Sequence, residues 1–207
     1  MRESAERPAL EVWRWNGPGS LPAAALRAND GPIVLGIATP DTPIRDHARV
    51  LGRSALRDAL GILLGRAPHD IPLISQPGEP LRLDLPGLRI GLSLSHEPGL
   101  TLAAIHMQGA VGIDLMRVEK DTNGLSGLDL VARDYLGPQA AARIGGLPRA
   151  RQAQAFALAW TRLEACLKCR AMPLQEWSPA LERQLEPCST HDIALPEGLA
   201  ATLAVCA

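Results

Sequence analysis

Two long helical segments, each followed by proline-rich connections and then by an apolar strand, set the organisation that the sequence predicts. The first helix lies within residues 41–65 and leads to a strand at 100–106. The second runs over about 149–171 and leads to a strand at 199–207. A helix with one apolar face must bury that face, and a sheet supplies the partner. The repeated order predicts an α+β fold with an internal duplication hinged near 108–110, although two unrelated α+β units would produce the same order.

The composition of the chain is that of a globular protein. Of its 207 residues, 46% are apolar and 21% are charged, with a formal net charge of -1. This balance provides no basic field for nucleic acid or membrane lipid. No segment approaches the roughly 20 apolar residues of a membrane span, and the start has no secretory core. The four cysteines show no disulfide framework, so we expect a cytoplasmic protein with reduced thiols and neither a nucleic-acid nor a membrane partner.

The first helix carries recognisable start and stop signals. Asp41 or Thr42 can cap its N-terminus, Pro43 suits its first turn, and Gly65 can end it. An apolar stripe should face the core. Its members are Ile44, Val50, Leu51, Leu56, Leu60 and Leu63.

The second helix contains the stretch AWTRLEACLKC, in which Glu164 and Lys168 lie one turn apart. An ordinary pair of this spacing stabilises a helix by about 0.2–0.5 kcal/mol, and that is the usual interpretation. Lysine, however, occurs only twice in the chain, against nineteen arginines. A lysine retained here indicates a need for a compact point charge, for example against a phosphate.

The predicted strand AVGIDLM carries a single carboxylate, Asp114. Strand alternation places Asp114 on the same face as Gly112 and Met116, and an unpaired buried carboxylate is costly. Asp114 is therefore either a structural residue in a salt bridge or a ligand for a hard cation. If Asp114 meets Glu164 in space, the two carboxylates describe a Mg²⁺ site that shares its ligands with substrate phosphates.

The stretch SLSHEPG places Ser95 and His96 at the end of another predicted strand. Taken alone, a histidine at a strand end is more often structural than catalytic.

Together, LSLSHEPGLTLAAI, VGIDLM and AFALAWTRLEACLKC resemble the motifs of the 4′-phosphopantetheinyl transferases, in particular the larger surfactin-synthetase-activating type. The shared pattern is Ser-His, then Gly-Ile-Asp, then Trp-Thr-x-x-Glu-Ala-x-x-Lys. Order, spacing and residue types agree over roughly 42–207, whereas 1–40 match only loosely.

The resemblance implies an activity and an architecture. Members transfer the 4′-phosphopantetheine arm of coenzyme A to a serine of an apo carrier protein and release 3′,5′-ADP. Two similar α+β halves related by a pseudo-twofold axis, here 1–108 and 109–207, would enclose coenzyme A and Mg²⁺ in the cleft between them. One chain holding both halves implies a monomer. Fatty-acid, polyketide and nonribosomal-peptide carriers all remain open as partners.

The resemblance also assigns roles to individual residues. Asp114 and Glu164 would ligate Mg²⁺ together with the pyrophosphate of coenzyme A. Glu164 would also orient or deprotonate the carrier serine, and Lys168 would hold phosphate charge.

The remaining assignments concern the nucleotide. Ser95 and His96 match residues that contact its phosphates. Arg49 and Arg53 fall where basic residues approach the 3′-phosphate, although a helix with four evenly spaced arginines also fits a solvated face.

Three departures from the family pattern leave alternatives open. Met116 replaces a frequent acidic residue, Leu163 replaces a frequent lysine, and Glu79 stands where Gly-Lys-Pro is common. We therefore weigh an active transferase against a non-catalytic relative that binds coenzyme A or a carrier protein. An unrelated Mg²⁺-dependent phosphate-handling enzyme is the third possibility.

Overall fold

A computed structural model of the chain describes residues 10–42, 44–76, 79–118 and 127–206. Within these ranges the α-helices are α1 (Ala23–Arg27), α2 (Arg45–Leu64), α3 (Leu128–Val131), α4 (Pro138–Gly145), α5 (Arg149–Cys169) and α6 (Pro179–Leu185). A short 3₁₀ helix covers Pro68–Asp70, and a π-helical segment covers Ala132–Leu136. The strands are β1 (Val12–Trp15), β2 (Ile33–Ala38), β3 (Leu73–Ile74), β4 (Arg82–Leu83), β5 (Gly91–Glu97), β6 (Leu100–His106), β7 (Val111–Arg117), β8 (Cys188–Asp192) and β9 (Leu199–Cys206).

The two larger sheets repeat one strand order. The first sheet runs β1-β2-β6-β5 and the second runs β7-β9-β8, while β3 and β4 form a small ribbon. In the first sheet β6 pairs antiparallel with both β2, the strand before α2, and β5. In the second sheet β9 pairs antiparallel with both β7, the strand before α5, and β8. The α+β class is confirmed. The pseudo-twofold relation and the boundary between 108 and 109 stay predictions.

The core is layered around the two sheets. One cluster of buried side chains joins α2 to the first sheet. A second joins the first sheet to the second through β2, β6, β7 and β9. A third joins the end of α5 to β9. The two long helices therefore lie on opposite outer sides of the paired sheets, as amphipathic helices require.

The first long helix begins later than its sequence predicts, and it buries a different face. α2 starts at Arg45 after Ile44, which is extended, and no side chain caps it, so the capping role given to Asp41 or Thr42 is wrong. Pro43 lies outside the described residues. Gly65 ends the helix in the left-handed conformation, as predicted.

Ile44 and Val50 are 67% and 57% exposed, so their place in the buried stripe is also wrong. The helix packs instead through small residues. A Cβ on Gly52 would lie 3.0 Å from the Leu94 side chain, and Ala55 is fully buried. Small side chains let α2 lie close to the sheet and leave Ile44 and Val50 beyond reach of the core.

A disulfide joins Cys188 to Cys206, which face each other across β8 and β9. The expectation that all four thiols are reduced is therefore wrong for this pair, because strand register, which the cysteine spacing does not reveal, brings them together. Cys166 and Cys169 are buried free thiols. Among the described helices, none combines the length and apolar character needed to cross a bilayer.

Candidate functional site

Close packing of α5 against β7 assembles the site. Gly112 lies under α5, and a Cβ added there would overlap the carbonyl oxygen of Ala165. Only a glycine allows the helix backbone to approach the strand this closely. Asp114 lies on the same face of β7, two residues further along, so the approach at Gly112 brings Glu164 and Lys168 of α5 next to it.

Lys168 and Asp114 form the centre of the site. The Lys168 ammonium donates to Asp114 Oδ1 at 2.6 Å and to the Ile113 carbonyl at 3.1 Å. Asp114 is 7% exposed, so the ammonium compensates a carboxylate that is almost removed from water. Lys168 makes no ion pair with Glu164, and the ordinary i,i+4 interpretation of these two residues is wrong.

Ser95 ties β5 to this centre. Its hydroxyl donates to Asp114 Oδ1 at 3.0 Å and accepts the backbone N–H of Leu115 at 3.1 Å. Ser93, two residues earlier, accepts the backbone N–H of Ile113 at 3.1 Å. Two serine hydroxyls on one face of β5 thus accept hydrogen bonds from the backbone N–H groups of β7 that lie next to them. No role was predicted for Ser93, although strand alternation places it on the same face as Ser95.

Glu164 is the second carboxylate of the site. It is half-buried, and among the described residues no group donates a hydrogen bond to it. Burial first, and then the negative charge of Asp114, raise the pKa of Glu164, while Lys168 opposes this shift. Two carboxylates close enough to influence each other electrostatically, one of them without a donor among the described residues, offer oxygen ligands of the kind that a hard divalent cation prefers. Met116 is half-buried on the same strand and offers no further oxygen.

A cationic cavity of about 740 Å³ opens beside this centre. Arg49, Arg53, His96 and Lys168 line it, so the structure brings these four sequence-predicted residues to one cavity. Arg53 donates to Ser75 Oγ at 2.9 Å, and its buried Nε has no partner among the described residues. An orphaned guanidinium nitrogen at the wall of a cavity suits an anionic ligand.

The pKa of His96 reflects the positive charge around this cavity. Its Nδ1 lies 2.9 Å from Thr101 Oγ1. Burial, and then the positive charges of Arg49, Arg45, Lys168 and Arg53, lower the pKa of His96 to about 4. The imidazole is therefore neutral at neutral pH and can donate a hydrogen bond without adding charge.

The same cavity contains a carboxylate at one of the three positions that depart from the family pattern. Glu79 is exposed and lies along the wall with Arg49 and Arg53. Pro77 and Gly78, the residues before it, lie outside the described residues. The site as a whole can hold a hard cation between two carboxylates and a polyanion against the arginines, with Glu79 as an opposing charge.

This combination of paired carboxylates and a cationic cavity is accompanied by a family match. The model of the 4′-phosphopantetheinyl transferase superfamily matches residues 110–200, somewhat less than half of the chain. The match indicates a domain of the phosphopantetheinyl transferase kind, and it includes Asp114, Glu164 and Lys168 but not the residues of β5 and α2. No curated protein matches the chain. The finer resemblance to the surfactin-synthetase-activating type stays a prediction.

Proposed function

We propose that the chain transfers the 4′-phosphopantetheine arm of coenzyme A to a serine hydroxyl of an apo carrier protein and releases 3′,5′-ADP. The observation that carries this proposal is the contact between Lys168 and Asp114, with Glu164 close enough for the charge of Asp114 to raise its pKa. All three residues lie in the stretch that matches the superfamily, and Lys168 also lines the cavity that contains Arg49 and Arg53. The chain would act as a cytoplasmic monomer, in which the Cys188–Cys206 disulfide is an exception to the reduced state usual for cytoplasmic thiols.

Asp114 and Glu164 are proposed to hold Mg²⁺. The donor set fits, because Lys168 and Ser95 occupy only Oδ1 of Asp114, and no described residue donates to Glu164. When bound, Mg²⁺ supplies Lewis-acid neutralisation of the pyrophosphate. Ser95 and Lys168 fix the Asp114 carboxylate in place, so that its remaining oxygen is oriented before any ligand arrives.

The cations of the cavity are proposed to bind the phosphates of coenzyme A. Lys168 lines the cavity while holding Asp114, so it can bridge the metal site and a phosphate. His96 would donate as a neutral imidazole, and Arg49 and Arg53 would take the 3′-phosphate. The Ser95 hydroxyl is already engaged by Asp114 and Leu115, which favours a positioning role for Ser95 over direct phosphate contact.

Glu164 is proposed to accept the proton of the carrier serine. In the metal-free chain, burial, and then the charge of Asp114, raise the pKa of Glu164, whereas a bound Mg²⁺ would lower this pKa and favour the ionised carboxylate that accepts a proton. The serine oxygen attacks the pyrophosphate phosphorus that bears the pantetheine arm, its proton passes to Glu164 directly or through a water, and 3′,5′-ADP departs. Transfer therefore needs Glu164 ionised at the start of the reaction.

Intact-mass measurement tests the transfer. The purified chain, coenzyme A and Mg²⁺ are mixed with a panel of apo carrier proteins. A mass gain of one phosphopantetheine on a carrier, abolished by EDTA, is the expected result. A gain that persists in EDTA would overturn the metal assignment, while Glu164→Ala and Asp114→Ala serve as inactive references.

A non-catalytic relative that binds coenzyme A is the second candidate function. Glu79 favours it, because a carboxylate on the cavity wall opposes a phosphate ligand. Coenzyme A binding in calorimetry with no mass gain on any carrier would support this candidate. In that case Glu79→Lys should tighten coenzyme A binding. Tighter binding would attribute the missing transfer to the charge of Glu79 and not to a carrier protein absent from the panel.

A further inference from the structure

Three cysteines that have no part in the carboxylate site meet at the end of α5. Cys188 and Cys206 are joined by a disulfide across β8 and β9. Cys169, the last residue of α5, places its Sγ 2.9 Å from the Cys206 Sγ. The three sulfur atoms lie within 4.8 Å of one another, whereas Cys166, one turn earlier on α5, is not part of the group.

The surroundings of the cluster combine burial with an opening to solvent. Cys169 and Cys206 are 5% and 8% exposed, and Cys188 is half-buried. Both buried cysteines nevertheless line a cavity of about 690 Å³, together with Arg170 and His106. Burial raises the pKa of the Cys169 thiol, while a hydrogen bond with the backbone of Cys206, and then the Arg170 charge, oppose this shift. The thiol is thus held mainly protonated at neutral pH but is in contact with solvent through the cavity.

The presence of a free thiol against an existing disulfide is the arrangement that thiol–disulfide exchange requires. We propose that Cys169 is a resident nucleophile that exchanges with the Cys188–Cys206 disulfide. The Cys169 thiolate attacks Cys206 Sγ, a Cys169–Cys206 bond forms, and the Cys206–Cys188 bond breaks. Cys188 leaves as a thiolate and takes up the proton that Cys169 lost. The step needs no external oxidant or reductant, since one disulfide replaces another.

Exchange moves the cross-link to another part of the fold. In the starting form it joins the neighbouring strands β8 and β9. After exchange it anchors the last residue of α5 to β9, immediately after Lys168. The free thiol meanwhile passes from a buried position to the half-exposed Cys188. While the Cys188–Cys206 bond is present, two of the three sulfur atoms are engaged in it and are not thiolate ligands for a metal ion.

Disulfide mapping under non-reducing conditions tests the proposal. The whole chain is incubated at mildly alkaline pH, where more thiolate is present, and free thiols are blocked with an alkylating reagent before digestion. Cleavage after Lys168, Arg170 and Glu197 places Cys169, Cys188 and Cys206 on separate peptides. Both the Cys188–Cys206 and the Cys169–Cys206 linkages are expected, together with label on Cys188.

Single substitutions make the test decisive. In Cys188→Ser, mild oxidation with glutathione disulfide should join Cys169 to Cys206. In Cys169→Ser only the Cys188–Cys206 linkage should remain, and Cys166→Ser, a matched change one turn earlier, should behave as wild type. Circular dichroism confirms that each variant is folded. Free Cys169 and Cys206 thiols in folded, oxidised Cys188→Ser, or a single linkage in wild type after prolonged incubation, would overturn the proposal.

Discussion

The ammonium of Lys168 lies 2.6 Å from Asp114 Oδ1, although the two residues are 54 positions apart. The pair is formed between α5 and β7, and it directs the lysine away from Glu164, its neighbour one turn earlier on the helix. A double-mutant cycle on this pair can separate its structural and chemical contributions.

Lys168→Ala should lower the free energy of unfolding by on the order of 3 kcal/mol, because it leaves Asp114 buried without its counter-charge. The double variant Lys168→Ala/Asp114→Ala should recover most of this stability but none of the transfer activity. Denaturant unfolding and the mass assay measure the two effects. Full activity in Lys168→Ala would contradict a phosphate-binding role for this lysine.

Glu164→Gln should raise the melting temperature at neutral pH in metal-free buffer. The pKa of Glu164 is raised on folding, so this carboxyl contributes stability at acid pH and loses it as pH rises through its folded pKa. The neutral amide avoids the cost of an ionised, half-buried carboxylate beside Asp114. The gain should shrink in acid, where Glu164 is protonated.

The same variant should lose transfer by at least about 100-fold, since it removes the proton acceptor and a metal ligand. Calorimetric scans at neutral and acid pH compare it with Glu182→Gln, a change at an exposed position of α6. A lower melting temperature at neutral pH would show that Glu164 is structural.

Inorganic pyrophosphate should raise the pKa of His96 above its value of about 4 in the free chain. The positive field of Arg45, Arg49, Arg53 and Lys168 helps to hold that pKa down, and a bound polyanion neutralises the field. NMR titration of the imidazole protons with and without pyrophosphate measures the change. His191, on the second sheet, is the internal reference, and equal shifts at both histidines would argue against binding in this cavity.

The lowered pKa of His96 also makes the stability of the chain depend on pH. A depressed pKa in the folded chain means that His96 contributes stability above its unfolded value near 6.5, and this stability is lost as pH falls towards 4. His96→Gln should therefore flatten the acid side of the stability profile.

Gly112→Ala should destabilise the chain by about 1–3 kcal/mol, the usual cost of overpacking, and should reduce transfer by separating α5 from β7. The added methyl group meets the helix backbone at Ala165, which cannot rotate away. Gly31→Ala is the matched control, because a Cβ there meets nothing within 4 Å. Equal stability of the two variants would show that the close approach at Gly112 is not required.

The sequence predicts well what depends on local pattern. Periodicity and Gly65 place the two long helices to within a few residues, and the rarity of lysine singles out Lys168. The alternation around Asp114 also predicts which side of β7 the carboxylate occupies. A charged residue in an otherwise apolar segment needs a specific partner, and the sequence alone is enough to recognise such a residue.

The sequence fails where the outcome depends on contacts between distant segments. The i,i+4 spacing alone would pair Glu164 with Lys168, but the tertiary fold offers Asp114, which needs the charge more because it is buried. It places Ile44 and Val50 inside, because their hydrophobicity is visible and the close packing at Gly52 is not. The Cys188–Cys206 disulfide follows from strand register, which no spacing rule contains.

The hydroxyls of Ser93 and Ser95 also affect how one side of β7 could pair with another strand. They occupy the backbone N–H groups of Ile113 and Leu115 along the side of β7 that faces away from β9. An edge with free amides is a template on which a strand of another molecule can add, and such addition is a common route to aggregation. The same two side chains that join the sheets at the carboxylate site therefore also protect that edge against intermolecular strand pairing.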